Sequence, residues 1–201
     1  MDIIEIIKGK AWFYLIVLNF LVFAAEQSNT LLNVILKFGA LSQANMFSMP
    51  WTWITTLFIH SGPEHIFLNM YALFLFGPFL ESKIGLKKFL LVYFSAGLLG
   101  NLGFLLTSPS FTTIGIGASG AIYGVLACLA IIEPNFQIVV FPFPIPLPLW
   151  IASLFYLFSE LSLTGNLDSV AHFAHVLGIL AGFLIGYFLI KPELSKDQFE
   201  D

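Results

Sequence analysis

The sequence predicts an all-α membrane protein that folds as one domain over residues 1–201 and crosses the bilayer with six transmembrane helices. Of the 201 residues, 58% are hydrophobic and only 10% are charged. A soluble domain carries about 25% charged residues, so this chain cannot cover its surface with charge. The apolar residues cluster into six segments, and the lysines fall mostly in alternate connections between them. Composition, segmentation and lysine placement together indicate an integral membrane protein.

Six apolar segments set the expected number of helices. They are residues 11–25, 53–80, 89–107, 118–132, 148–161 and 170–190. A spanning helix needs about 20 residues, so the short first and fourth segments are expected to extend into their flanks. The second segment is long enough that its start is expected to form a loop or turn around residues 61–63. Proline recurs at every second position in FPFPIPLPLW, residues 141–150, which forbids a helix interior there and predicts an extended apolar loop at the membrane surface.

The N-terminal segment has two possible interpretations. Lys8 and Lys10, followed by an apolar run that ends in VFAA, are compatible with a cleavable signal peptide. Aromatic residues 12–14 fit the interfacial anchor of a retained helix better, so we expect the first helix to be retained.

Lysine positions predict the orientation, because the chain contains no arginine. An N-terminus on the inside places on that side the seven lysines at positions 8, 10, 83, 87, 88, 191 and 196, and leaves only Lys37 outside. An excess of lysine in cytoplasmic loops is the usual determinant of topology. We therefore expect a multi-pass protein of the cell membrane with both termini in the cytoplasm, whose second, fourth and sixth helices run from outside to inside.

Composition also limits the classes of partner. The net charge is −4, and no basic patch suggests a nucleic acid.

The lone cysteine, Cys128, lies within an apolar run and is interpreted as a core residue. Three carboxylates at the ends of the apolar segments, Glu26, Glu133 and Glu160, are expected to be solvated.

Histidines and one serine gather at the predicted outer face. His60 and His65 lie near the start of the second segment, and His172 and His175 near the start of the sixth. Ser119 lies near the start of the fourth segment, which also starts outside. Polar and ionisable groups within membrane segments are costly and default to functional candidates.

Ser119 lies in GIGASGAIYG, residues 115–124, and this stretch has two interpretations. Glycines recur every four residues here and in the sixth segment, and small residues at that spacing let two helices approach closely. Packing alone requires no hydroxyl, however, and does not explain His175, one turn before Gly178. Close approach of the two helices would bring His175 to Ser119, and a serine needs a neighbouring base to act as a nucleophile at neutral pH. Free N–H groups at a helix start would also favour a developing oxyanion.

The remaining polar residues leave alternatives open. His65 and Asn69 share one helix face, either as interfacial residues bonded to a neighbouring helix or as two donors aimed at an oxyanion. Tyr123, one turn deeper than Ser119, either packs against the base or belongs to the core. His172 and His175 are three residues apart, which also suits a metal ion, and the other two histidines make a four-histidine site conceivable.

Four motifs together resemble one known family. HIFLN at residues 65–69, GASG at 117–120 and AHVLGILAG at 174–182 are similar to the H-x-x-x-N, G-x-S-G and A-H-x-x-G-x-x-x-G motifs of the rhomboids, the intramembrane serine proteases. GPFLESKIG at 77–85 is similar to their G-x-x-x-E-x-x-x-G. The resemblance covers essentially the whole chain as a six-helix, rhomboid-like bundle.

The resemblance implies a Ser-His dyad with Ser119 as nucleophile and His175 as general base. It implies an oxyanion hole formed by His65, Asn69 and the backbone N–H of Ser119, and a Tyr123 ring stacked on His175. Gly117 and Gly120 flank the nucleophile as supporting residues of the motif. The expected site, with the base, therefore contains seven residues.

The same resemblance implies transmembrane proteins as substrates, the lipid bilayer as the environment, and neither a metal nor a cofactor. Cleavage is expected near the outer membrane face, in a water-filled cavity, and the uncharged stretch 105–132 fits a loop that dips into the membrane before the fourth helix. His172 and His60 have no catalytic role in the motif. The chain also lacks the Trp-Arg pair that many rhomboids carry in the first loop, where it offers only Trp51 and Trp53.

Two other functions remain compatible with the sequence. One is a catalytically inactive rhomboid-like protein that binds membrane clients without cutting them. The other is a histidine-based metal or haem membrane protein.

Overall fold

A computed structural model describes residues 10–139, 145–164 and 170–197 of the chain, with side chains as far as residue 194. The described part is mostly helical. Its helices are α1 (Ala11–Glu26), α2 (Asn29–Gly39), α3 (Thr52–Thr55), α4 (Pro63–Thr107), α5 (Ser119–Ile132), α6 (Leu149–Leu163), α7 (His172–Ile185) and α8 (Lys191–Asp197). A 3₁₀ turn at Thr56–Phe58 follows α3, a π-helical turn at Gly186–Ile190 joins α7 to α8, and strands β1 (Gln137–Val139) and β2 (Pro146–Pro148) form an antiparallel pair.

Helix α4 consists of two arms that run in opposite directions. A straight helix of 45 residues would be about 67 Å long. Yet the side-chain amide of Asn101, near the end of α4, donates to the carbonyl oxygen of Trp53, which precedes its start, at 2.7 Å. The reversal occurs at Gly85, whose φ of 76° lies outside the helical region and costs glycine little. The second and third apolar segments of the sequence therefore form the arms before and after Gly85.

Glycines bring α5 and α7 into backbone contact. A Cβ atom on Gly178 would collide with the carbonyl oxygen of Gly120, and one on Gly182 would collide with that of Gly124, one turn deeper. Small residues at this spacing are the usual means of close helix approach in membranes. The close approach expected from the sequence is thus confirmed.

Glu81 holds the start of α1 against α4. Its two carboxylate oxygens accept the backbone N–H groups of Ala11 and Trp12, each at 3.0 Å. These N–H groups have no partner within their own helix, and the dipole of α1 favours a negative charge there. A Cβ on Gly77 would lie 2.8 Å from Cβ of Trp12, so only glycine permits this contact. The GPFLESKIG stretch therefore provides a close contact, a buried cap and the reversal at Gly85.

The end of the non-helical segment before α5, residues 115–118, packs against the first loop, residues 27–62, and pairs its backbone with it. The N–H of Gly115 donates to the carbonyl of Leu41 at 2.7 Å, and that of Gly117 donates to the carbonyl of Thr56 at 3.0 Å. The hydroxyl of Thr56 donates to the carbonyl of Gly115. Irregular backbone at membrane depth requires such internal pairing. This arrangement agrees with the loop expected from the uncharged stretch.

The first loop contains a helix that the sequence analysis did not predict, α2. The apolar segment at residues 53–80 begins with α3 and the 3₁₀ turn rather than with the long helix. The long helix starts at Pro63, which agrees with the turn expected at residues 61–63. Both tryptophans of the loop form hydrogen bonds through the indole nitrogen Nε1. Trp51 donates to the carbonyl of Phe38 at 2.7 Å, and Trp53 donates to that of Met46 at 3.1 Å. These bonds order the loop without an arginine.

The described part of the proline-rich stretch is extended, as expected. Residues 146–148 pair with Gln137–Val139, and α6 begins directly afterwards at Leu149. Residues 141–144 of the same stretch lie outside the described residues.

Among the described residues, two helical stretches are long and apolar enough to cross a membrane by length and composition, Pro63–Thr107 and His172–Leu194. The apolar helices α1, α5 and α6 are shorter, with 16, 14 and 15 residues. With the two arms of α4, the apolar helices correspond one to one to the six segments of the sequence. The count of six membrane crossings stays a prediction.

Two of the three acids that were expected to be solvated are buried. Glu26 is 5% exposed and accepts the backbone N–H of His60 at 3.3 Å, because the first loop folds over the end of α1. Glu160 is 8% exposed, because α6 places it against α5 and α7. For both residues the expectation was wrong. Glu133 agrees with it, since its side chain is 40% exposed and pairs with Lys83 at 2.6 Å.

Substitution of Gly178 by alanine should separate α5 from α7. The added methyl group meets backbone atoms of Gly120, which cannot move aside, and overpacking of this kind costs about 1–3 kcal/mol. Thermal unfolding of the purified protein in detergent measures the loss. Gly62→Ala is the matched control, since no atom lies within 4 Å of the added Cβ and the φ of 168° is extended backbone. Equal unfolding midpoints for the two variants would contradict the packing described here.

Candidate active site

Ser119 and His175 lie in hydrogen-bond contact. Ser119 is the first residue of α5, and His175 is in the first turn of α7. The Nε2 atom of His175 is 2.7 Å from Oγ of Ser119. The contact follows from the backbone packing, because Gly120 next to the serine touches Gly178, one turn beyond the histidine. A hydroxyl and an imidazole at this distance have the geometry of a nucleophile and its base.

Tyr123 packs against the ring of the same imidazole. The ring centroids of Tyr123 and His175 are 4.7 Å apart, and the ring planes are inclined by 35°. The ring is therefore tilted on the histidine rather than stacked in parallel. The hydroxyl of Tyr123 donates to Oε1 of Glu160 at 2.8 Å, so the tyrosine also connects α5 to α6.

Glu160 is the site residue that the sequence analysis missed. Its Oε2 atom lies 2.6 Å from Nδ1 of His172 and 3.0 Å from Nδ1 of His175. The contact with His175 has the distance of an ion pair but not the alignment of a hydrogen bond. A signal was present in the sequence, because Glu160 falls within the apolar segment 148–161, where an ionisable residue is costly.

Glu160, His172 and His175 are also a set of donors that could hold a metal ion. Their ligand atoms lie within 4.8 Å of one another, and two histidines with one glutamate are a ligand set used by catalytic zinc sites. His60 and His65 are a separate pair, with ring centroids 5.0 Å apart. Within the described part of the chain, the structure does not join the four histidines into the single metal site that the sequence made conceivable.

His65 faces the loop that leads into Ser119. A Cβ on Gly117 would lie 2.8 Å from Nε2 of His65, and Gly117 has a φ of 116°, so the position demands glycine for two reasons. The backbone N–H of Ser61 donates to Nδ1 of His65 at 3.4 Å. An N–H group can only donate, so the proton of a neutral His65 is on Nε2, the nitrogen that faces Gly117.

Asn69 lies one turn after His65 on the same helix face and is buried. Its Nδ2 donates one hydrogen to the carbonyl of His65 at 2.8 Å. A side-chain amide has two N–H donors, so one remains for another acceptor.

His60 packs behind His65 as a neutral ring. Burial and then repulsion by His65 lower the pKa of His60 to about 4. Neither of its ring nitrogens has a hydrogen-bond partner among the described residues. His60 is thus uncharged at neutral pH and lies outside the Ser119–His175 contact.

A cavity of about 30 Å³ adjoins Ser119. Its lining includes Ser119, Gly120 and Asn101, together with residues 115–117 of the preceding loop. This volume accommodates a water molecule, and the serine hydroxyl, the loop backbone and the asparagine amide offer it polar partners.

Comparison with known proteins gives a consistent result. A family model described as the Rhomboid domain matches residues 48–192. Rhomboid protein 1, mitochondrial, of Saccharomyces cerevisiae is 31% identical over 151 residues, which cover 72% of this chain and 43% of that protein. Rhomboid protease AarA of Providencia stuartii is 29% identical over 199 residues, which cover 87% and 69%.

The relatives also include an inactive member, Inactive RHOMBOID-like protein 8 of Arabidopsis thaliana, which is 30% identical over 148 residues, or 73% of this chain and 40% of that protein. The chain spans about half or less of the length of most curated relatives it matches. Since the family model matches well over half of the chain, the chain belongs to the rhomboid family of membrane-integral proteins.

Proposed function

We propose that this protein is an intramembrane serine protease that uses Ser119 as nucleophile and His175 as general base. The single observation that carries the proposal is the distance of 2.7 Å between Nε2 of His175 and Oγ of Ser119. Packing of α5 on α7 needs glycines at 120 and 178 but neither of these side chains. Membership of the rhomboid family gives independent support, because rhomboid proteases are serine peptidases.

The chemistry follows from these positions. Ser119 attacks the carbonyl carbon of the scissile peptide bond while its proton moves to Nε2 of His175. The histidine then gives the proton to the leaving amine, which leaves an acyl group on Ser119. A water molecule, activated by the same histidine, hydrolyses the ester and restores the serine. The cavity beside Ser119 is a place where this water can reside.

Three donors are available for the negative charge on the carbonyl oxygen. The backbone N–H of Ser119 lies at the N-terminus of α5, where the helix dipole favours an anion. His65 supplies its Nε2 proton from the side of Gly117, and Asn69 supplies its second amide hydrogen. Donors fixed by the fold stabilise an oxyanion without reorganisation, which is a large term in acyl transfer.

Rhomboid proteases act on transmembrane proteins within the bilayer, and we assign the same class of substrate to this chain. In the proposed arrangement six helices cross the cell membrane and both termini are cytoplasmic. The dyad then lies toward the outer face, where water can reach it. A substrate helix must unwind locally to expose a peptide bond, so small or helix-breaking residues are expected at the cut.

Two other functions compete with this one. A client-binding protein without activity is represented among the relatives by the inactive Arabidopsis protein, but the Ser119–His175 contact of this chain favours catalysis. A metal-dependent function has the donor set of Glu160, His172 and His175 in its favour. Chelator-insensitive reactivity would argue against that function.

The purified wild-type protein in detergent should react with a fluorophosphonate probe, which forms a stable ester with an activated serine. Ser119→Ala should not react, and His175→Ala should react about 10²–10⁴ times more slowly, because a positioned base is worth that factor. His172→Ala is the matched control, three residues away on α7, and should stay within about tenfold of wild type. Labelling of Ser119→Ala at the wild-type rate would refute the proposed nucleophile, and a loss confined to His172→Ala would refute the proposed base.

Removal of the side-chain donors should slow cleavage without abolishing it. The loss of one oxyanion donor typically costs about 10²–10³ in rate. Asn69→Ala should therefore leave a slow protease, and the double variant with His65→Ala should be slower still. Steady-state cleavage of a reconstituted transmembrane substrate measures both. A double variant with full activity would exclude these two residues from the oxyanion hole.

A further inference from the structure

We infer that Glu160 is a positioning residue for the base, a third member of the catalytic group that acts through His175. The inference rests on the proposed function. Oε2 of Glu160 is 3.0 Å from Nδ1 of His175, and Oγ of Ser119 is 2.7 Å from Nε2 of the same ring. The carboxylate and the hydroxyl thus lie on opposite nitrogens of one imidazole, which is the order of a serine, a histidine and an acid.

The chemical consequence concerns the position of a proton. A neutral imidazole carries one N–H, and the nitrogen without it is the acceptor. A carboxylate next to Nδ1 favours the proton on that nitrogen, because an ionised carboxylate can only accept. Nε2 then has a free lone pair directed at the hydroxyl of Ser119. The opposite tautomer would present an N–H to the serine and could not take its proton.

The second consequence concerns charge. When the proton of Ser119 moves to Nε2, His175 holds a proton on each nitrogen and becomes positive. Glu160 is 8% exposed, and charges interact strongly where water is excluded. A negative charge 3.0 Å from Nδ1 therefore stabilises the imidazolium as it forms.

Neighbouring polar groups offset the cost of burying the carboxylate here. The hydroxyl of Tyr123 donates to Oε1 of Glu160 at 2.8 Å, and the Tyr123 ring packs on His175. Nδ1 of His172 lies 2.6 Å from Oε2, the same oxygen that faces His175. A buried carboxylate is costly unless such partners surround it. The partners make the position tolerable, and one of them, His175, also contacts the nucleophile.

A purely structural role for Glu160 is the competing explanation, since its contact with His172 joins α6 to α7. The structural role and the positioning role of Glu160 differ in the effect that each predicts for a substitution of His172. His172→Gln and Glu160→Gln each replace one partner of the contact that links the helices, and each weakens it. Only Glu160→Gln removes the charge next to His175.

The test compares the second-order rate of fluorophosphonate labelling and the thermal unfolding midpoint for these two variants. Glu160→Gln should label about 10² times more slowly than wild type, since a correctly oriented base is worth about 10²–10⁴. His172→Gln should stay within about tenfold, and Glu160→Asp should be intermediate because it keeps the charge at a longer reach. Glu133→Gln controls for loss of a carboxylate that is exposed and far from the histidines, and should label like wild type. Equal rates for Glu160→Gln and His172→Gln would overturn the inference.

A second measurement does not depend on how Glu160→Gln folds. Nitrogen-15 spectra of histidine-labelled wild-type protein report which ring nitrogen carries the proton, and the His175 signals are assigned by their loss in His175→Ala. The inference requires a protonated Nδ1 and an unprotonated Nε2 in His175. A proton on Nε2 would overturn it.

The two proposals fail in different ways. If folded wild-type protein does not react with the fluorophosphonate, the proposed function fails, while the spectrum still reports the tautomer. If wild type reacts and Glu160→Gln reacts equally fast, only the role of Glu160 fails.

Discussion

The contact between the backbones of α5 and α7 is the constraint on which the rest of the structure depends. Gly178 and Gly182 touch the carbonyl oxygens of Gly120 and Gly124, a separation that no larger residue permits. Ser119 begins one of these helices and His175 lies in the first turn of the other, so their 2.7 Å contact is a result of the glycine packing. In a lipid environment, where apolar surface gains little from leaving the solvent, such close packing is a main source of helix association.

Buried carboxylates attach the peripheral helices to this pair and its neighbours. Glu81 of α4 receives the first N–H groups of α1, and Glu160 of α6 receives Tyr123 of α5 and His172 of α7. Each acid has partners because an isolated charge in a low-dielectric interior would be prohibitively costly. The two carboxylates differ in their surroundings among the described residues, since Glu81 accepts from backbone donors of a helix start, whereas Glu160 meets the side chain proposed as the base.

Much of this arrangement could be predicted from the sequence, because it depends on residue types with few alternatives. Glycines four apart predicted the close helix pair, and the positions of Ser119, His65 and His175 at segment starts predicted one cluster. The structure does bring these three residues close together, whereas their catalytic roles stay predictions. Gly85 alone did not predict that the chain reverses its direction there. The two apolar segments on either side of it did predict two separate helices.

The parts that sequence analysis missed depend on tertiary contacts. Glu26 and Glu160 stand at helix ends, where a carboxylate is solvated unless another element covers it, and which element does so is not a local property. The helix α2 was missed because, at 11 residues, it is too short to count as a segment that spans the membrane. The hydrogen bonds from Trp51 and Trp53 go to backbone carbonyl groups. Every residue has such a group, so the sequence could not indicate which ones would accept.

The central claim is that Ser119 and His175 hydrolyse peptide bonds within the membrane. Its most direct test is to reconstitute the protein in liposomes with a pooled library of single-span segments and to identify the cut bonds by mass spectrometry. The account predicts cuts inside the spanning segments, near one membrane face and at small or helix-breaking residues, all absent with Ser119→Ala. Cuts that persist in Ser119→Ala, or that fall only in the soluble flanks of the segments, would contradict it.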